Sequence, residues 1–327
     1  MQSVNVAVVG ASGLVGRKIL ELLEERNFPV NNLVLLASER SAGKKLKFRG
    51  EEVEIKKLDE NSFDNGNIDL ALFSAGGSVS EKFIPIAIRN GVRCVDNSSF
   101  FRMDENVPLE VPEIKKKEIN KDTMLIANPN CSTIQSVLAI KPIVDAFNVK
   151  RIVYNTYQAV SGGGEKALED LHNKTNKKWK YKIHNNVLPQ IDVFLDNGYT
   201  KEEMKMIDET RKILDKNDLK ITATTARVPV ENSHAISINI ELDRDFELDY
   251  IKKILEEQEG VVLVDDIENE IYPLPTEATG NDEVFVGRIR RDYSLDYGIN
   301  MWVVADNIRK GAATNAVENA ELLLEVL

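Results

Sequence analysis

Cysteine is nearly absent from this chain, with two among 327 residues, and histidine is scarcely commoner at three. Two cysteines make no disulfide framework, and nothing shows the paired Cys/His spacing of a zinc site, so no metal and a reducing, cytoplasmic setting are expected. Long apolar runs are missing too: none approaches the roughly 20 residues that span a bilayer. The opening residues enter an apolar strand pattern (Val4, Val6, Ala7, Val8, Val9) without the basic flank of a signal peptide, so a soluble protein with no membrane association is expected. Positive charge is in deficit, 42 Lys and Arg against 53 Asp and Glu, for a net charge of -11. That balance argues against a nucleic-acid binder, and any anionic ligand must be met by a few placed Arg and Lys residues.

What is present begins as a βαβ unit. Val4 to Val9 reads as a strand, Gly10 to Gly16 as a glycine turn, Lys18 to Glu25 as a helix and Leu33 to Ala37 as a strand. Leu70 to Ser74, Val92 to Val95 and Met124 to Ala127 continue the alternation expected of a parallel sheet. From Arg151 the texture changes. Arg151 to Ala159, Ile221 to Val228, His234 to Leu242 and Val284 to Ile289 alternate or carry β-branched residues, whereas Thr200 to Leu214 and Asp249 to Glu256 read as helices. The expected fold is α/β in two domains. A Rossmann-like domain covers 1–130 and is completed by a C-terminal helix within 306–327 (Arg309 to Leu327) that packs back on it. An α+β domain with a mixed sheet covers 131–305.

Gly10-Ala11-Ser12-Gly13-Leu14-Val15-Gly16 is a G-x-x-G-x-x-G turn. Its glycines let backbone approach a pyrophosphate, which the following helix N-terminus attracts; between a strand and a helix this reading leads over a plain structural turn. After the second strand, Ser38-Glu39-Arg40-Ser41 offers an arginine between hydroxyls, suited to the 2′-phosphate of NADP, while Glu39 leaves open a contact to a ribose hydroxyl instead. Ser74-Ala75-Gly76-Gly77 either brings backbone near a cofactor or is a tight turn, and Ser161-Gly162-Gly163-Gly164 either passes a flat ring or is a hinge.

Asn128-Pro129-Asn130-Cys131-Ser132-Thr133 places one cysteine where an extended segment becomes an apolar-periodic helix. Unpaired N–H groups and the helix dipole there favour a thiolate and an oxyanion, and the polar neighbours make a poor apolar shell for an inert Cys131. Cys94, inside a strand, reads as core. His172 and His184 sit among charged residues and read as solvated; His234 opens a strand and is a candidate acid/base for Cys131. Arg102 after Asn97-Ser98-Ser99 is an oxyanion ligand or a surface arginine. Glu202 and Lys205 are site residues or an i,i+3 surface pair, and Arg227 suits a bidentate grip on a carboxylate.

Taken together, Val8 to Gly16, Ala37 to Gly43, Asn128 to Gln135, Tyr157 to Gly164, Arg227 to Ser237, Glu277 to Asp292 and Asp306 to Asn315 resemble the aspartate-semialdehyde dehydrogenases, particularly the branch common in Gram-positive bacteria. The resemblance implies an NADP-dependent enzyme that converts L-aspartyl 4-phosphate to aspartate semialdehyde, with release of inorganic phosphate, in lysine, threonine and methionine biosynthesis. It implies Cys131 as the thioester-forming nucleophile, His234 as acid/base, and Asn130 and Gln158 as orienting groups. Arg227 would bind the α-carboxylate, Glu202 the amino group, and Arg102 with Lys205 the phosphate, with Asn97 and Ser99 supporting. Ser12, Gly13, Leu14, Val15, Ser38, Arg40 and Ser41 would hold the adenosine side of NADP and Ser161, Gly162 and Asn307 the nicotinamide side, with Gly10 and Ser74 as further cofactor-binding positions. A homodimer through the second domain's sheet is also implied, with a helical insert from Lys166 to Asp196 in contact. N-acetyl-glutamyl-phosphate reductase shares this logic and fold, and a catalytically silent dinucleotide-binding regulator is the alternative from another class.

Overall fold

Near-continuous apolar strands predict a sheet covered on both faces, and the first part of the chain builds one. A computed structural model describes residues 3–114 and 119–326. The chain divides into two compact units, Met1–Pro129 with Ala312–Leu327, and Asn130–Gly311. The first contains β1 (Val4–Val9), α1 (Leu14–Glu25), β2 (Val30–Ala37), β3 (Lys45–Phe48), β4 (Glu51–Lys57), β5 (Leu70–Phe73), α2 (Gly77–Arg89), β6 (Arg93–Asp96) and β7 (Leu125–Ala127). Its sheet runs β3-β4-β2-β1-β5-β6-β7, parallel except for the β3–β4 pair. Strand order reverses at β1, and Gly10, Ser38 and Ser74 all follow the carboxyl ends of strands beside that reversal, the place where open α/β sheets bind ligands.

The second unit contains α3 (Cys131–Ala146), β8 (Val149–Gln158), α4 (Glu165–Asn173), α5 (Lys201–Leu214), β9 (Lys220–Arg227), β10 (His234–Leu242), α6 (Leu248–Glu256), β11 (Val261–Leu263), α7 (Pro275–Ala278), β12 (Val284–Asp292) and β13 (Gly298–Ala305). The mixed sheet runs β11-β12-β13-β10-β8-β9. The last helix, α8 (Thr314–Glu325), belongs to the first unit, where Val317, Ala320 and Leu323 share a core with Ile19, Leu22 and Leu23 of α1 and with Val6 and Val8 of β1. The opposite face of that sheet packs Val9, Phe73, Ile84 and Ala87 around Cys94, which is fully buried as expected; burial pushes its thiol pKa up.

Several expectations need correction. The helix after the glycine turn starts at Leu14, not Lys18, so Gly16 lies inside α1, where a Cβ would stand 2.3 Å from the Gly10 carbonyl oxygen. The C-terminal helix starts at Thr314, after a wider-wound turn over Arg309–Ala313. The supposed helical insert is helical only to Asn173. Asp170 then accepts backbone N–H groups of Lys177 at 2.8 Å and Lys178 at 2.6 Å, which folds the chain into a turn instead. The hairpin β3–β4 and the strand β13 were not anticipated.

Candidate active site

In the first unit, α1 opens at Gly13 with no side-chain cap, so its first N–H groups face outward, and Gly10 adopts the left-handed φ of +88°. A Cβ at Gly10 would meet the Ser74 carbonyl oxygen at 2.7 Å, which is why β1 and β5 can end so close together. These features fit a dinucleotide phosphate. Ser38 and Arg40 are exposed and Ser41 is half-buried, open to a further phosphate. Glu39 is 80 % exposed and pairs with Lys57 at 3.1 Å, which turns its carboxylate toward a neighbouring cation. Ser74 directs its hydroxyl to the Val9 carbonyl at 3.4 Å. Arg102 is not a surface arginine: it is buried, and its Nε and Nη2 donate to the carbonyls of Asn128 and Asn97, both at 2.8 Å. Asn97 is itself tied to Asn128 at 2.7 Å, while Ser99 is exposed.

The second unit gathers most of the other candidates around one cleft of about 730 Å³, lined among others by Asn130, Cys131, Gln158, Gly162, Glu202, Lys205 and Arg227. Cys131 is the first residue of α3 and is half-buried. Its N-cap is Asn130, whose Oδ1 accepts from Ser132 N at 3.0 Å and Thr133 N at 3.3 Å. The helix end is therefore more fully capped than expected. The helix dipole acts on the thiol, and so does the charge of Arg227, which lies within electrostatic range of Cys131.

The other end of Asn130 explains how this cap is held. Its Nδ2 donates to Glu202 Oε1 at 2.9 Å, its backbone N–H donates to Glu209 Oε2 at 2.7 Å, and Gln158 Nε2 reaches the same Glu202 oxygen at 3.2 Å. Glu202 is thus no surface residue. Burial pushes its pKa up, but the Lys205 charge, the two amide donors and Arg227 outweigh burial and hold the carboxyl below its usual range. Lys205 lies 3.2 Å from Glu202 and 2.9 Å from Asp192.

Ala159 orients two further groups. Its carbonyl accepts from Arg227 Nη1 at 2.6 Å, and its N–H donates to His234 Nδ1 at 3.0 Å. With Nδ1 an acceptor, the neutral imidazole carries its proton on Nε2. That Nε2 is buried and has no hydrogen-bond partner among the described residues, and the Nε of Arg227 is in the same condition. Burial and the neighbouring Arg227 charge hold the His234 pKa well below the ordinary histidine value. Gly162 keeps this corner open, since a Cβ there would come within 2.8 Å of Arg227 Nη1 and 3.3 Å of His234 Nε2. Ser161 and Asn307 are buried against each other, with Asn307 Nδ2 donating to Ser161 Oγ at 3.0 Å and Asn307 Oδ1 accepting from Ser233 N at 2.9 Å, next to His234. His172 pairs with Glu231 at the surface.

Sequence reasoning missed four members of the site. Trp179 lies with its ring centroid 5.9 Å from the Arg227 guanidinium carbon, Asp192 pairs with Lys205, Glu209 anchors Asn130, and Gly311 leaves room for Cys131, whose Cβ would be 3.0 Å from a Cβ there. Glu209 was open to detection. It follows Glu202 by two helical turns on the face that also buries Met206.

Residues 5–122 match the family described as "Semialdehyde dehydrogenase, NAD binding domain", and residues 140–310 match "Semialdehyde dehydrogenase, dimerisation domain". The aspartate-semialdehyde dehydrogenase of Aquifex aeolicus is 52 % identical over 98 % of both chains, and that of Bacillus subtilis is 47 % identical over the same shares. The chain belongs to the aspartate-semialdehyde dehydrogenase family. Among solved structures of this family, aspartate semialdehyde dehydrogenase II from Vibrio cholerae superposes with a TM-score of 0.93 at 44 % identity, covering 99 % of each chain. The same Vibrio cholerae enzyme has also been solved in complex with ASA. No helix among the described residues is long and apolar enough to cross a membrane.

Proposed function

We propose that this chain carries out the reductive dephosphorylation of L-aspartyl 4-phosphate to L-aspartate 4-semialdehyde, dependent on NADP and passing through a Cys131 thioester. The observation that carries this reading is the joint hold of Asn130 and Gln158 on Glu202, beside Cys131 and Arg227 in one cleft. The Cys131 thiolate attacks the acyl phosphate carbonyl, the C–O bond to phosphate breaks, and inorganic phosphate leaves. A bound nicotinamide cofactor supplies the hydride that reduces the thioester. Collapse of the resulting hemithioacetal oxyanion breaks the C–S bond, releasing the aldehyde and regenerating the thiolate. His234, the acid/base residue of this reading, starts with its proton on Nε2 beside Gly162 of the cleft lining, a donor suited to the developing oxyanion.

The substrate carries a carboxylate, an ammonium and a phosphate. Arg227 answers the first, the ionised Glu202 the second, and Lys205 with Arg102 the third. An N-acetylated glutamyl phosphate has no ammonium, which leaves a buried carboxylate unanswered and disfavours that substrate. Ser38, Arg40 and Ser41 favour NADP over NAD, and Glu39, drawn to Lys57, does not compete for the ribose. Ser12 to Val15 hold the diphosphate, and Ser161, Gly162 and Asn307 shape the nicotinamide end.

The reading of the chain as a member of the branch common in Gram-positive bacteria rests on its motif blocks, since the Aquifex aeolicus relative at 52 % and the Shewanella violacea relative at 48 % are as similar to it as the Bacillus subtilis one at 47 %. The chain works in the cytoplasm as a homodimer through the second unit's sheet, where the rings of Tyr157 and Trp302 lie tilted with centroids 5.4 Å apart beside the exposed Tyr272 and Leu274. The test is spectrophotometric. Aspartate semialdehyde in phosphate buffer reduces NADP faster than NAD, and N-acetylglutamate semialdehyde gives no comparable rate; an inert protein would favour the regulator, and the opposite substrate order would refute the Glu202 assignment.

A further inference from the structure

Lys205 is held by two carboxylates of different character. Glu202, with a side chain 6 % exposed, is locked from behind by Asn130 and Gln158. Asp192 comes from another part of the chain, its side chain is 34 % exposed, and its Oδ2 lies 2.9 Å from Lys205 Nζ.

The backbone places Asp192 there. Upstream, Leu188 and Arg227 exchange two backbone hydrogen bonds, both of 2.9 Å; downstream, Lys201 N donates to the Val193 carbonyl at 2.9 Å. The short segment between is thereby strapped from the strand that carries Arg227 to the helix that carries Lys205, and Gln190, Ile191 and Asp192 line the cleft along it. At its centre Asp192 adopts a left-handed φ of +68°, and its Oδ1 accepts from Val193 N at 2.9 Å. One carboxylate oxygen is thus tied to the strap itself and the other is offered to the lysine.

We infer that Asp192 is a specificity-determining residue, whose carboxylate competes with the substrate's phosphate for Lys205 and returns to that lysine when inorganic phosphate leaves. The inference rests on the reading of Lys205 as a phosphate ligand. Two observations set the direction of the effect. A dianionic phosphate and a carboxylate repel each other at a shared cation, so they exclude one another there. A partly exposed ion pair is weak enough to be exchanged, whereas the buried, doubly supported Glu202 is not. Asp192 therefore weakens phosphate binding and makes the site easier to empty after acyl transfer. A residue that merely held Lys205 in position would have the opposite effect.

The decisive variant is Asp192→Asn. It keeps the Oδ1 acceptor for Val193, tolerates the left-handed backbone at least as well, and removes only the charge. Steady-state NADP reduction is measured with phosphate varied at saturating aspartate semialdehyde, and with the semialdehyde varied at saturating phosphate, for the parent, Asp192→Asn, Lys205→Met and the double variant. The expected result is a phosphate KM about fivefold lower in Asp192→Asn, equivalent to about 1 kcal/mol, with the semialdehyde KM unmoved. In the Lys205→Met background the same substitution lowers the phosphate KM no further. A phosphate KM that stays the same or rises in Asp192→Asn overturns the inference. A parental phosphate KM in the single variant Lys205→Met would instead overturn the assignment of Lys205 itself, a failure visible without reference to Asp192.

Discussion

The helices that begin at Leu14 and at Cys131 both follow an apolar strand, and their first turns are finished in opposite ways. At Leu14 the N-cap is Gly13, which offers no side-chain acceptor, so the leading N–H groups stay available to ligand oxygens. At Cys131 the N-cap is Asn130, which takes up two of those N–H groups and is itself held by Glu202 and Glu209. An open helix end suits an anion that comes and goes. A closed one suits a covalent nucleophile that must not shift, with the helix field and Arg227 acting on the sulfur.

The glycine end breaks most severely. Replacing a helical glycine by alanine ordinarily stabilises by about 1 kcal/mol, but Gly16→Ala sets a Cβ against the Gly10 carbonyl. We expect destabilisation of about 3 kcal/mol, since overpacking against backbone reverses the usual sign; denaturant melts measure it, and a neutral or stabilised variant would show that the loop yields. Asn130→Ala removes a cap and a donor to a buried carboxylate, for about 2 kcal/mol together, along with lost activity at saturating substrate. Intact activity would mean that the closed helix end does not position Cys131.

The smallest effect is that of pH. His234 is held neutral in the folded protein, below its unfolded value of about 6.5. Between the two values the unfolded chain binds the extra proton, so stability rises with pH there and is lost as pH falls below about 6.5, by at most 1.4 kcal/mol per unit. Glu202 and Asp192, held below the carboxylate range, contribute losses only at lower pH, below about 4.5. Chemical melts from pH 7.5 to 5.5 should show the slope in the parent and not in His234→Gln; equal slopes would remove the buried neutral imidazole from the account.

The same contrast explains what could be read from the sequence. The open end announces itself locally, because glycines at fixed spacing between a strand and a helix have few other uses, although the helix start was placed late: Gly16 is helical despite its low propensity. The closed end was half legible. Cys131 at the helix start was visible, but its support comes from Glu202 and Glu209, some 70 residues on, and such a link leaves no local signature. Asp192 and Trp179 were invisible for the same reason, lying in a segment read as helix that Asp170 turns aside. Strand β13 was missed because Gly298, Asn300 and Trp302 blur its alternation, although its pairing with β10 sets Ala305 opposite His234.

On this reading the held Cys131 carries the acyl group. Mixing the protein with aspartate semialdehyde and NADP in phosphate-free buffer tests it most directly, followed by NADPH absorbance and peptide mass analysis. The expected result is a burst of about one NADPH per active site, with the aspartyl group on the Cys131 peptide, and neither in Cys131→Ser. A burst that survives in Cys131→Ser, or an aspartyl group found on another residue, would contradict it.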